Sequence, residues 1–541
     1  MPGKEQLEAA LRIIETLRAK GYEAYLAGGC VRDLLLGREP ADYDVATNAT
    51  PEVVLGMFPR TFAVGAHFGV VLVATCGGAD AACAAGDLKE QNDETRSENA
   101  GFVTEVATFR SDGAYSDGRH PDAVRYTKSA EEDVRRRDFT INGLLLDTRR
   151  LISNETEAEF HPSRKDKDAA RVGHPAEVES RALREKAAAG PSTPVAAATS
   201  AQDDSSEGML SALRAAVIDY VGGVADLDAG VVRAIGRPEQ RFEEDRLRML
   251  RAVRFVARFR FEIEPETMRA IRSIAPRIDA VSKERVRDEL TKMLTEGHAR
   301  RAFELLGETG LLAEVLPEIA RMKGVEQPAQ YHPEGDVWTH TLMLLEQLQP
   351  GCSMTLAWGA LLHDVGKPPT FKRAPDRIRF DGHVEMGVAM GAEICRRFRF
   401  SNDETRQILA LIENHMRFMD AQLMKESTLK RFFRLDRFEE HLALHRMDCL
   451  AGSGYLDHWN FVRERFSAMP EETVRPRPLI TGRELIAAGY KPGAGFREML
   501  GAVEDAQLEG TIATAEEALK LVRERFAESR EQGSEGAKNR E

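Results

Sequence analysis

Strand-like patterning in this 541-residue chain is confined to its beginning. The segments "AYLAGG", "DYDVAT", "FGVVLVAT" and "FVTEVATFR" are short and rich in Val, Thr and Phe, and all lie within the first 110 residues. From Asp219 onward the pattern turns helical and stays so to the C-terminus. Such a chain must build a sheet from its early strands and pack helix on helix elsewhere. Its length exceeds what one core can organise, so several domains are expected. A first helix is read over residues 5–20, and "CVRDLLLG" is a second. Two stretches carry almost no large apolar residues. One, "CGGADAACAAGDLKEQNDETRSENAG", separates two strands, and the other runs from about Asn154 to Glu207. Both read as disordered insertions.

Composition narrows the function classes. A net charge of −13 argues against coating the whole surface with nucleic acid but leaves room for a local basic groove. The six cysteines form no CxxC pair, which speaks against a disulfide framework and a Cys-ligated zinc site. The opening "MPGKEQLEAALRIIETLRAKG" is amphipathic rather than a signal peptide, and no apolar run approaches the roughly 18 residues of a membrane span. A reducing cytoplasm is expected, with no membrane and no evident protein partner.

The stretch "GGCVRDLLLGREPADYDVAT" carries the first chemistry. Asp42 and Asp44 alternate on a strand, so both point to one face, and Glu105 in "VTEVATFR" supplies a third acid on another strand. Three carboxylates on adjacent strands suit hard divalent cations, Mg²⁺ above all. Two such ions activate an attacking hydroxyl and stabilise a leaving phosphate oxygen. Gly28 and Gly29 let the backbone approach a triphosphate, and the start of the following helix favours an anion. A lone DxD is usually a solvated strand end. The glycines, the Arg32-Asp33 pair and the third acid together reverse those odds.

These residues resemble the nucleotidyltransferase signature of the class II tRNA nucleotidyltransferase and poly(A) polymerase family. The resemblance continues in "RRRDFTINGLLLD", "YVGGVADLDAGVVRAIGRPEQRFEEDRLRMLRAVRF" and "SKERVRDELTKML", in the family's order. It implies an α+β fold: a polymerase-beta-like head with a mixed sheet over residues 1–150, with a loop insertion at about 76–100. An insertion at 151–215 follows, then an all-α neck (216–325), an HD body (326–465), a tRNA-binding tail (466–525) and a disordered end (526–541). The tail assignment rests on "PLITGRELIAAGYKPGAGFREMLGAVEDAQLEGTIATAEEALKLV", which looks like the tail of bacterial CCA-adding enzymes.

In "RRRDFTINGLLLD" the arginines can fork onto phosphates, and Asn or Asp can take a sugar hydroxyl, near a turn into a helix. The resemblance implies that Arg137, Asp138 and Asn142 bind the incoming triphosphate and sugar, with Gly28, Gly29 and Arg32 beside them. "EEDRLRMLRAVRFVARF" reads as one strong helix on which Asp245 and Arg248 share a face. Alone the two would be an ordinary ion pair. By the resemblance they hydrogen-bond the base and select CTP and ATP. Arg248, Arg251, Arg254 and Arg258 form a basic stripe that either lines a channel for RNA phosphates or is a solvated face.

A second set lies in the helical region. His340, then His363 and Asp364 in "HDVGK", then Asp448 resemble the metal-binding series of the HD phosphohydrolase superfamily, with His383 and His415 at accessory positions. Histidine and aspartate on separate helices can converge on a metal in a bundle. The resemblance implies a divalent ion (Mg²⁺, Mn²⁺ or Ni²⁺) and hydrolysis of phosphate esters, or else a scaffold that grips tRNA.

The leading expectation is template-independent addition of CCA to tRNA from CTP and ATP. A poly(A) polymerase or a partial A- or CC-adding enzyme is the nearest alternative. Against the former, "AVGAHFGVVLV" lacks the basic residues such polymerases carry there. An HD phosphohydrolase with an RNA-binding head is the alternative from another class.

Overall fold

The computed structural model describes residues 2–63, 69–75, 102–113, 124–151, 201–330 and 332–526. The expected insertion at 76–100, most of the one at 151–215, part of "AVGAHFGVVLV" and nearly all of the final segment lie outside these residues. The helix Ala201–Ala216 falls within the stretch read as insertion, which corrects that reading for its last residues. The chain divides into two compact units, residues 1–281 with 309–311, and residues 282–308 with 312–541. The segment expected as one helical neck is thus divided between them.

The first unit is built on a mixed seven-stranded sheet. Its strands are β1 (Ala24–Ala27), β2 (Val45–Thr47), β3 (Thr61–Phe62), β4 (Val70–Thr75), β5 (Phe102–Thr108), β8 (Leu144–Leu146) and β9 (Val217–Asp219), in the order β3-β4-β5-β2-β1-β8-β9. β6 (Arg110–Asp112) and β7 (Val124–Tyr126) form a separate ribbon. β2 and β5 run parallel, and every other pair in the large sheet is antiparallel. β1, β2 and β8 are buried along their whole length, which fits their almost wholly apolar sequences, Thr47 excepted. Tyr25, Ala46, Phe109, Val134 and Leu145 share one core cluster, so sheet and flanking helix Ala130–Arg135 pack as one body.

Two expectations of local structure change here. The "RRRDFTINGLLLD" segment leads through a short 3₁₀ turn, Thr140–Asn142, into strand β8 rather than into a helix. The "EEDRLRMLRAVRFVARF" segment is two helices, Pro238–Glu244 and Leu247–Phe259, with extended backbone at Asp245 between them. Asp245 accepts the backbone N–H of Leu247 at 3.1 Å, a local bond that competes with helix continuation.

The second unit is almost wholly helical. Val337–Glu346, Met354–Leu362, His383–Arg397, Asn402–Asn414 and Phe438–Ala451 form its centre. Met354–Leu362 starts at Ser353, whose hydroxyl accepts the N–H of Leu356, and seven of its nine residues are buried. Gly366 lies so close to the helix His383–Arg397 that an added Cβ would sit 2.0 Å from the carbonyl oxygen of His383. Glycine there lets the turn after His363 and Asp364 meet the helix that begins at His383. The C-terminal helices Gly482–Ala487, Gly495–Leu508 and Ala515–Arg525 share a small core of their own around Leu485, Met499 and Val522.

Candidate functional site

Asp42 and Asp44 sit in the extended stretch immediately before β2, one step earlier than the strand itself. Tyr43 between them is buried, so the two carboxylates occupy the opposite side of the chain. Because Val45 lies opposite Val106 in the parallel pair, Asp44 falls beside Glu105 with both side chains on one face. Burial first, then the charges of Glu105 and Asp42, push Asp44 up to about 7, while Arg137 opposes the rise. Burial and Asp42 raise Glu105, again against Arg137. Three mutually repelling acids facing one arginine are a field that a cation would relieve. All-oxygen donors of this kind fit a hard divalent ion such as Mg²⁺.

Gly28 turns the chain into this site with φ 73 and ψ −124, a conformation open to glycine. A Cβ there would come within 3.0 Å of Nη1 of Arg137. The Arg137 guanidinium donates to Oδ2 of Asp133 at 3.1 Å and to the carbonyl of Asn142 at 3.4 Å. Asp133 is buried and also takes Arg136, so it holds two arginines at the rim of the acid set. Asp138, Asn142 and Arg251 form a connected group. Asp138 accepts Nε of Arg251 at 2.8 Å through one oxygen, and Nδ2 of Asn142 at 3.1 Å with its neighbour's N–H through the other. Burial would raise Asp138, but Arg251, the Asn142 bond and Arg248 outweigh it and hold it at about 2.

Other expected nucleotide-binding residues take different places. Arg32 is buried, bonded to Asp33 and Asn142, with its guanidinium 4.5 Å from the centre of the Phe259 ring. Arg248 is also buried. It donates to Glu244 at 2.8 Å and to the carbonyls of Arg241 and Arg136. Asp245 lies outside the helix, so the pair shares a helix junction rather than a helix face. The basic stripe is likewise interrupted. Arg248 and Arg254 are buried, and Arg251, Arg254 and Arg258 lean on Phe255 or Phe259.

In the second unit, the series read from the sequence comes together in one place. His363, His383 and His415 each direct Nδ1 to a backbone carbonyl three residues back, of Ala360, Phe380 and Ile412, at 2.9, 2.9 and 2.7 Å. Those bonds make Nδ1 the donor and leave Nε2 with its lone pair. All three Nε2 atoms lack a hydrogen-bond partner and point toward Asp364, at 3.2 Å from Oδ2 for His363 and at 4.0 and 3.8 Å from Oδ1 for His383 and His415. His340 lies between Glu334 at Nδ1 (2.7 Å) and Asp448 at Nε2 (2.9 Å). Burial alone would depress His340, but Asp448 and Glu334 lift it to about 9. Burial drives His415 down to about 4, so it is neutral at pH 7 and free to donate its lone pair. Orphaned imidazole nitrogens with fixed tautomers around the buried carboxylate of Asp364 are donors that could hold a divalent metal.

Four residues around this centre had not been singled out: Glu334, His332, Lys367 and Gln327. Glu334 orients His340 and also receives His332 at 2.9 Å. Lys367 places its ammonium 2.7 Å from Asp364 and 2.7 Å from Gln327. Its spacing of three from Asp364, inside "HDVGK", was the available signal; Glu334 precedes its helix in a turn and had none.

A family model described as "Poly A polymerase head domain" matches residues 24–157, and one described as "Probable RNA and SrmB- binding site of polymerase A" matches 260–323. An HD domain model matches 336–450. The CCA-adding enzyme of Geobacillus stearothermophilus is 34% identical over 317 residues, 59% of this chain and 56% of that enzyme, so the chain spans little more than half the length of that relative. A solved structure of the Bacillus stearothermophilus CCA-adding enzyme in complex with CTP shares the fold, with a TM-score of 0.63 at 24% identity, over 98% of this chain and all of that one. The A-adding tRNA nucleotidyltransferase of Deinococcus radiodurans is 33% identical over 332 residues, 58% of this chain and 75% of that one. With its head, RNA-binding and HD segments matched in turn and a relative this similar over three quarters of its length, the chain belongs to the tRNA nucleotidyltransferase and poly(A) polymerase family.

Proposed function

We propose that the protein adds CCA to the 3′ end of tRNA, without a template, from CTP and ATP, in the cytoplasm. The observation that carries this reading is the convergence of Asp42, Asp44 and Glu105 on one face opposite Arg137, beside the Gly28 turn. The three acids would hold Mg²⁺, which supplies Lewis acidity toward the attacking 3′ hydroxyl and the departing pyrophosphate. Arg137 faces the same space and is suited to the triphosphate. Asn142 and Asp138 are fixed by Arg32 and Arg251 and would position the sugar. Asp245 and Arg248, at the junction of two helices, would present an acceptor and a donor fork to the base; relatives named for CCA addition and one for A addition support a nucleotide-selecting site of this kind. The test is incubation with tRNA lacking its 3′ end and each NTP, separately and together. Addition of CCA is expected. Asp42→Ala or Asp44→Ala should abolish it with the fold intact, and normal addition by either would refute the assignment. Asp245→Ala and Arg248→Ala should raise UTP or GTP use relative to CTP and ATP.

The orphaned imidazoles favour a second activity in the other unit. His340, His363, Asp364 and Asp448, with His383 and His415, would hold a divalent metal that polarises a phosphate ester for hydrolysis; Mn²⁺ and Ni²⁺ suit imidazole ligands better than Mg²⁺ does. Metal analysis and phosphatase assays on wild type and on His363→Ala with Asp364→Ala test it. Loss of metal and hydrolysis with tRNA extension retained is expected.

A further inference from the structure

The row of the large sheet that contains Glu105 continues past the acids as apolar surface. Glu105 on β5 lies opposite Leu72 on β4, and Leu72 lies opposite Phe62 on β3. Directly paired residues project to one face, so Asp44, Glu105, Leu72 and Phe62 form one line across the sheet. In the next row on that face, Val103 is paired with Ala74. Phe62 and Val103 are 44% and 54% exposed, and Leu72 and Ala74 are half-buried. The alternate residues Val71, Val73, Thr104 and Val106 are buried on the other face. Apolar side chains left exposed together beside polar groups mark a ligand surface.

The strand order says which ligand. Gly28, Arg137 and Asn142, the groups suited to the incoming triphosphate and sugar, sit together where β1 ends and β8 begins, on one side of the acids. β4 and β3 lie on the other side, with β3 at the edge of the sheet. In-line transfer keeps the attacking oxygen and the leaving pyrophosphate on opposite sides of the phosphorus. The attacking hydroxyl therefore belongs toward β4. The nucleoside that carries it extends over Leu72 toward Phe62, two strand spacings or about 10 Å from Glu105.

We infer that Leu72 and Phe62, flanked by Val103, seat the 3′-terminal nucleoside of the RNA, with its base against the Phe62 ring. The inference rests on the nucleotide-adding reading of the first unit for its substrate. CCA addition presents a new 3′ end at each step, and the seat must accept each in turn. An aromatic ring with aliphatic neighbours does this. Every base has a π face, and none of these side chains carries a donor or acceptor that would read a base edge. Selection among bases is left to the incoming nucleotide.

The experiment uses the full chain, Mg²⁺ and tRNA lacking only its final adenosine, made with cytidine, the fluorescent analogue pyrrolocytidine or an abasic ribose as its last residue. Phe62→Ala should slow ATP addition to the cytidine end about tenfold at limiting RNA, with KM for ATP unchanged. The abasic end should cost wild type a similar factor, and Phe62→Ala should lose nothing further on it, because ring and base are two halves of one interaction. Phe62→Tyr should keep the wild-type rate. A purely structural role for Phe62 would slow both ends by the same factor. The two ends are compared within each protein, so a change in stability cannot imitate the result. In the absence of nucleotide, pyrrolocytidine fluorescence should fall on binding to wild type, through stacking on the ring, and not on binding to Phe62→Ala. Multiplied losses for the variant on the abasic end, a raised KM for ATP in Phe62→Ala, a slow Phe62→Tyr, or equal quenching by wild type and Phe62→Ala would overturn the inference. Quenching that depends on Phe62 without addition of any nucleotide would refute the nucleotide-adding reading and leave this one standing; addition with quenching independent of Phe62 would do the reverse.

Discussion

Replacing Gly28 by alanine should damage both the stability and the chemistry of the first unit, whereas the same change at Gly29 should damage neither. At Gly28 the backbone sits at φ 73, ψ −124, where a Cβ strains against its own carbonyl neighbours. Such sparsely populated conformations cost on the order of 1–3 kcal/mol. Alanine returns about 0.4–1 kcal/mol by restricting the unfolded chain, so a net loss of about 1 kcal/mol is expected. The added methyl also stands 3.0 Å from Nη1 of Arg137, at the far end of a flexible side chain, so the guanidinium gives way rather than the backbone. That movement disturbs the position from which Arg137 offsets Asp44 and Glu105. Misplacement of a positioning group by about 1 Å can cost about 100-fold in rate. At Gly29, in the first turn of its helix, the new Cβ would meet Nη2 of Arg32 at 3.6 Å, an ordinary contact, and alanine is the better helix former. The assays are denaturant unfolding and single-nucleotide extension of tRNA lacking its 3′ end. Equal stability and equal rates for the two variants would refute the argument.

Asp44→Asn should abolish extension yet stabilise the metal-free protein at pH 8, by an amount on the order of 1 kcal/mol after allowing for solvent screening. The sign follows from its raised value of about 7: the folded state keeps a proton that the unfolded chain releases near pH 4, so stability falls as pH rises through this window and the amide removes that fall. Thermal melts in EDTA from pH 4 to 8 check it. Arg251→Ala should cost about 3 kcal/mol by leaving Asp138 charged and buried without its partner. The stabilisation that Asp138 gains from its partners is present above about pH 4 and lost toward pH 2, because Asp138 is held at about 2; unfolding of the two proteins across pH 2–7 should show the difference shrinking with acid. Lys367→Met should destabilise the second unit by about 3 kcal/mol without metal, since Asp364 loses its 2.7 Å ammonium contact, and by less with Mn²⁺ present. Calorimetry with and without chelator separates the two.

The chemistry of this chain was legible where it is carried by spacing. Alternation put Asp42 and Asp44 on one side, and the parallel register of β2 and β5 brought Glu105 beside them. The histidines and aspartates of the second unit converge as the order of their motifs implied. What could not be read was the difference between a basic residue at the rim of the acid set and one that supports a neighbour. Arg32 and Arg254 look alike in sequence to Arg137, yet they are buried against aromatic rings, and Arg32 against a carboxylate as well, that only the tertiary fold supplies. The helix break at Asp245 was hidden for a different reason. The periodic apolar pattern continues across it, and a single side-chain-to-backbone bond decides the local conformation.

The shared hydrogen bond of His363, His383 and His415, each to the carbonyl three residues earlier, has an architectural consequence. Each ring is oriented by a carbonyl within its own turn of chain, so its tautomer is a property of a four-residue segment and needs no distant partner. The three imidazoles are therefore independently oriented modules. One can be lost or gained in the course of sequence drift without disturbing how the others present themselves.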